Sequence, residues 1–135
     1  MSGTVYIERI AADYLRDHGI RARATNPSDA NEPWVRITLL DPQLADGRDP
    51  ADHLINYLVQ FDCYGGAGQA SLREAHELAI KVRTLLHEMP EHEHDGAQVT
   101  EVLFSGGGRI PDTDNFSPAR ERVIVTAQIY ACAID

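Results

Sequence analysis

Cysteine is scarce in this sequence. Cys63 and Cys132 are the only two among 135 residues, each inside an apolar, strand-like run with no metal-type neighbour. A scaffold stapled by several disulfides is thereby excluded. The two residues read as reduced, packed thiols of a cytosolic protein, with a single disulfide as the less favoured alternative. Long apolar runs are also missing: no stretch approaches the roughly 18 apolar residues of a membrane span. Residues Met1 to Glu8 lack a basic region followed by an apolar run, so they do not read as a signal peptide. The chain is expected to stay in a cytoplasm until it joins something else. Positive charge is short as well, with 12 Lys and Arg against 21 Asp and Glu and a net charge of −9. That balance argues against tight wrapping of nucleic acid, which needs a basic footprint to displace counterions. It leaves room for a surface past which DNA merely slides.

What is present is ordinary globular material: 43% hydrophobic and 24% charged residues. The length fits one domain over residues 1–135, with a core that needs no staples. Repeats and low-complexity tracts are absent from the sequence.

Periodicity divides the chain into seven elements. Ile7, Ile10, Ala11 and Tyr14 recur at helical spacing and predict a helix over about residues 4–18, stopped by Gly19. Residues 20–24 suit a short edge strand, and Asn26-Pro27-Ser28-Asp29 a turn. A β-branched run at 34–40 reads as a strand, followed by a polar loop to about His53. In 54–64, Ile55, Tyr57, Val59, Phe61 and Cys63 alternate with Asn56, Leu58, Gln60 and Asp62. One face is therefore core, and the other is mixed and suited to partial cover by a partner. Ser71-Leu72-Arg73-Glu74 has the form of a capping box. It opens a helix to about Met89, striped by Leu72, Ala75, Ala79, Val82, Leu86 and Met89, supported by a Glu77–Lys81 pair and ended by Pro90. Strands follow at 98–105 and 120–131, separated by a loop from Ser105 to Ala119. The order α-β-β-β-α-β-β implies an α+β fold. The expected form is a mostly antiparallel sheet of about four to five strands with both helices packed on one face.

Chemistry is hard to find. His87, His92 and His94 lie among Glu88, Glu91, Glu93 and Asp95, and such residues ligate zinc. But the stretch lacks H-E-x-x-H spacing and a rigid frame, so it reads as a solvated acidic linker with no metal. Gly106-Gly107-Gly108-Arg109 is not a P-loop, because the following lysine and helix are missing. No G-x-S-x-G is present, and neither cysteine has a neighbouring cue for activation. No catalytic or cofactor-binding residue is assigned. The concentrated cations Arg109, Arg120 and Arg122 read as surface salt bridges to this chain or a neighbour ahead of phosphate contacts.

Four segments in order carry a resemblance. They are Tyr57 to Gly66; the helix with Ala79, Val82, Arg83 and Leu86; Gly108-Arg109-Ile110-Pro111-Asp112; and Arg120 to Tyr130. Their order resembles the tail terminator (tail completion, minor tail) proteins of long-tailed phages, especially those infecting actinobacteria. The resemblance spans nearly the whole chain, and no single piece is as specific as a metal motif. It implies a small α/β domain, without active site or cofactor, that forms a homohexameric ring. Such a ring caps the finished tail tube, halts its polymerisation and presents a docking surface to a head-completion or connector protein. Its partners are then copies of itself, the tail tube protein and the connector, with DNA passing through the lumen unbound and no membrane involved. Its place is the head-proximal end of the virion tail, after assembly in the host cytoplasm. A head–tail connector (neck) protein is the near alternative; a small ligand-binding domain or enzyme with a pocket between sheet and helices is the distant one.

The Ser105–Ala119 loop has fifteen residues, where a hairpin needs about two to five. Ile110 and Phe116 offer apolar anchors on it, and Pro111 and Pro118 stiffen it. The expected partner interface is thus Arg109, Ile110, Pro111, Asp112, Phe116, Arg120 and Arg122.

Overall fold

A computed structural model of the chain describes residues 5–23, 32–44, 54–66, 68–109 and 121–134. The first helix, α1 (Ile7–Asp17), buries Ile7, Ile10, Ala11, Ala12, Tyr14 and Leu15 along one face. Its end is a Schellman motif: Gly19 N–H donates to Arg16 O (3.0 Å) and Ile20 N–H to Leu15 O (3.0 Å). The motif requires a left-handed residue, which Gly19 supplies at φ +85°. Leu15 and Ile20 both enter the core, the apolar contact that accompanies this cap.

Four strands and one helix follow the two-residue strand β1 (Ala22–Arg23): β2 (Trp34–Leu44), β3 (Ile55–Tyr64), α2 (Ser71–Glu88), β4 (Ala97–Arg109) and β5 (Arg122–Ala133). A 3-10 turn, Met89–Glu91, separates α2 from β4 and contains Pro90. The sheet order is β1-β2-β3-β5-β4. β1 lies parallel to β2, and the other three pairings are antiparallel. The fold is α+β with a five-stranded mixed sheet.

Alternation in the strands sets the two faces. Val35 and Ile37 of β2, Tyr57, Val59, Phe61 and Cys63 of β3, and Val123, Val125, Ala127, Ile129 and Ala131 of β5 form one cluster. Val99 and Val102 of β4 join it, as do the buried residues of both helices. Both helices therefore cover the same face of the sheet. The opposite, outer face carries Arg36, Thr38, Asn56, Leu58, Gln60, Asp62, Thr126, Gln128 and Tyr130.

Several boundaries differ from the sequence reading, each for a tertiary reason. The strand expected to end at Leu40 runs on to Leu44, because β3 supplies partners as far as Leu44↔Ile55. The triple glycine expected to open a loop belongs to β4, held by Gly107↔Val125 and Gly108↔Ile124. Of the expected Ser105–Ala119 loop, residues 105–109 are thus strand, and Ile110 to Ala119 fall outside the described residues. The capping box does not form. Ala70 is the N-cap and Ser71 the first helical residue. Ser71 Oγ accepts from Glu121 N–H (3.3 Å) and Glu74 Oε1 from Gly66 N–H (3.1 Å), so both side chains serve the backbone flanking β5 and β3 instead of the helix end. On α2, Glu77 pairs with Arg73 (3.9 Å) and not with Lys81.

Candidate functional site: the outer face of the sheet

The mixed strand face read from the sequence is a layered polar surface. At one end Trp34 and Tyr64, cross-strand partners, stack with ring centroids 4.4 Å apart and planes 11° from parallel. Both rings are buried although they stand opposite the helices. Beside them lies Asp62, a fully buried carboxylate near the C-terminal end of β3. Arg36 of β2 donates to Asp62 Oδ2 from Nη2 (2.9 Å) and Nε (3.2 Å), while Gln60 Nε2 donates to Oδ1 (2.8 Å). Arg122 of β5 places Nη1 4.0 Å from the same Oδ2. One carboxylate thus ties three adjacent strands together. A buried charge is tolerated when it is paired and hydrogen-bonded, and Asp62 is both. The Arg36 guanidinium also lies 5.7 Å from the centroid of the Tyr64 ring, within reach of a cation–π attraction.

The middle of the face is uncharged. Asn56 Nδ2 donates to Gln128 Oε1 and to Tyr130 Oη, and Tyr130 O–H donates to Gln128 Oε1, all at 3.4 Å. Asn56 Oδ1 is buried and meets no donor among the described residues. A buried acceptor left without a donor costs about 1–3 kcal/mol.

Of the residues expected at a partner interface, Arg122 joins this face, 17% exposed and beside Asp62. Its role is an internal ion pair as much as a surface cation. Arg109 ends β4 opposite Val123. Ile110, Pro111, Asp112, Phe116 and Arg120 lie outside the described residues. Sequence reasoning missed the Asp62 knot, because Arg36 and Asp62 are 26 positions apart and only the β2–β3 register brings them together.

A second cluster forms on the helical side. Tyr14 of α1 lies 4.7 Å from His18, 5.3 Å from His92 and 5.4 Å from His94, ring centre to ring centre. His18 Nδ1–H donates to Tyr14 O and His94 Nε2–H to Met89 O, both at 2.8 Å. The stretch expected to be a solvated linker is exposed at Glu91, His92, Glu93 and Asp95, yet its His92 and His94 rings rest on α1. No group of three or more metal-ligating side chains is suitably placed among the described residues. Elemental analysis of tag-free protein is expected to find zinc well below one ion per chain. Stoichiometric zinc that disappears on replacing His92 and His94 with alanine contradicts this.

Tyr14 O–H donates to Leu85 O. Burial, reinforced by Glu88 and Glu91, raises its pKa from 10.0 to about 12. The folded state thus holds the Tyr14 proton more tightly than the unfolded state. The associated stability is fully present below pH 10 and is lost as pH rises towards 12. Burial likewise raises Tyr57 and the Cys63 thiol. The loss of stability between pH 9 and pH 11 is expected to shrink by about 1 kcal/mol in Tyr14→Phe, measured by urea unfolding at those two pH values. An unchanged slope refutes the assignment.

An apolar cleft of about 420 Å³ lies between α1 and β2, lined by Val5, Tyr6, Ile7, Ala12 and Leu39 among others. Among the described residues no helix is long and apolar enough to cross a membrane. No protein-family model and no curated protein matches the chain.

Proposed function

We propose that the chain is a structural assembly protein, a tail terminator of a long-tailed phage. It would act as a ring on the head-proximal end of the tail tube, stopping the tube's growth and receiving the head or its connector. The resemblance of the ordered segments from Tyr57 to Tyr130 is the basis of this reading. The observation that supports it best is the two-faced sheet. One face is sealed by two helices. The other carries the Arg36–Asp62–Arg122 knot, amides, hydroxyls and the apolar Leu58, a mixed surface suited to cover by a neighbouring chain. In this reading neither catalysis nor a cofactor is involved, and the chain's partners are its own copies, the tube protein and the connector. DNA would pass without specific contacts, since a chain of net charge −9 repels it.

Imaging of particles carrying a labelled copy is the direct test. A closed ring, six copies in the hexameric case, is expected between tail tube and head. Particles made without the protein are expected to carry tails of uncontrolled length that fail to join heads. A single copy per particle, or normal tails in its absence, refutes the proposal. A connector function separates from this one by phenotype: tails then stop at normal length but stay unjoined.

A further inference from the structure

Two exposed leucines mark the lateral edges of the sheet. Leu40 on β2 is 48% exposed and Leu103 on β4 is 43% exposed. Leu103 stands on the outer face between the core residues Val102 and Phe104, and Leu40 is the unpaired bulge residue between Leu39, packed on the core, and Asp41, paired with the outer-face Leu58. The registers place them at one level. Leu103 is opposite Gln128, Gln128 opposite Leu58, and Leu58 opposite Asp41, which adjoins Leu40 at a bulge. The two leucines therefore terminate a single cross-strand row, one at each side. Both edges are open among the described residues: β4 is the last strand of the sheet, and β1 covers only Val35 and Arg36 of β2.

We propose that the β2 edge of one copy docks on the β4 edge of the next, with Leu40 packed against Leu103 of the second copy. The proposal rests on the reading of the chain as a ring-former and names the contact that makes the ring. β2 and β4 run in opposite directions, because the three pairings between them are all antiparallel. Rotating a second copy alongside about an axis parallel to the strands keeps those directions. The seam is then antiparallel, the more stable kind of ladder. Because both leucines lie in one row, they meet without any shift along the strands. A head-to-tail contact with no rise closes on itself, whereas one with a rise climbs into a filament. Each leucine also has a bulge beside it, between Leu39 and Asp41 on β2 and between Phe104 and Gly107 on β4. Bulges discourage indiscriminate edge pairing. They keep the seam short and leave the leucine contact to fix its register.

Cysteine cross-linking tests the seam in a Cys132→Ser background, with Cys63 left buried. Oxidation of the Leu40→Cys, Leu103→Cys double variant is expected to give a disulfide-linked ladder ending at a closed ring, and neither single variant is expected to give one. In a second arm, Leu40→Arg and Leu103→Arg are each expected to weaken self-association at least about tenfold, the effect of losing about 1.4 kcal/mol at a contact. An equal mixture of the two is expected to stop at a heterodimer, since only one sound edge of each remains. Efficient self-linking of Leu40→Cys alone, or association indifferent to both arginines, overturns the proposal while the ring survives. A chain that stays monomeric at high concentration and forms no ring on tails overturns both readings.

Discussion

Gly65→Ala is expected to destabilise the fold by more than about 3 kcal/mol, in the upper range for overpacking a tight site. A Cβ at this position would lie 1.8 Å from Ser71 O, 2.5 Å from Ser71 C and 2.7 Å from Ser71 Cα. All three are backbone atoms of the first residue of α2, so no side-chain rotation relieves the clash. The helix would have to move away from the end of β3. That movement strains two contacts at once, Glu121 N–H to Ser71 Oγ (3.3 Å) and Gly66 N–H to Glu74 Oε1 (3.1 Å). Gly68→Ala is the matched control. Gly68 has φ +105° but open space around its absent side chain, so only backbone strain of about 1–2 kcal/mol is expected there. Urea unfolding of both variants checks the comparison, and a Gly65→Ala midpoint close to that of Gly68→Ala refutes it.

The second large effect is expected at Asp62. Removing one partner of a buried ion pair costs about 3–5 kcal/mol, mainly by stranding the other charge. Here the Arg36 and Arg122 side chains keep 21% and 17% of their exposure, and water screens them in part. Asp62→Ala is therefore expected near the low end, about 3 kcal/mol, with Asp62→Asn less costly because its amide oxygen still accepts from Gln60. Replacing Arg36, Asp62 and Arg122 together by methionine, leucine and methionine is expected to recover most of the loss, as with other buried ionic groups exchanged for apolar ones. Unfolding measurements decide the matter. Loss of less than about 1 kcal/mol in Asp62→Ala means that the knot is decorative.

The segments whose order follows from a local pattern were legible in the sequence. The α1 stripe, the Gly19 stop and the alternation of β3 and β5 depend on neighbours a few positions away, and the structure keeps them. Ser71 and Glu74 illustrate the opposite case. Their spacing matches a cap, but Gly66 just after β3 and Glu121 just before β5 offer donors to the same two side chains, and those partners win. Gly106–Gly108 have little strand preference of their own, and the partner strand β5 imposes the extended form on them. The Trp34–Tyr64 stack and the Asp62 knot depend on strand register, which one sequence does not display. The linker is largely exposed, as its composition suggests, but its packing on α1 was not legible because Tyr14 and His18 are more than seventy positions away.

Of the five described strands β5 comes latest in the sequence, and it sits between β3 and β4. Its pairing with β3 joins residues as far apart as Ile55 and Ala131. On the ribosome, α1, β1, β2, β3, α2 and β4 all emerge before the strand that unites them. Until then β4 has no neighbour, and the inner edge of β3 remains a bare row of amides and carbonyls. Pairings this distant in sequence make folding slow, and unpaired edges invite mispairing while the chain waits. Synthesis would leave the nascent sheet exposed until Arg122–Ala133 arrives, and then complete it in one closing step.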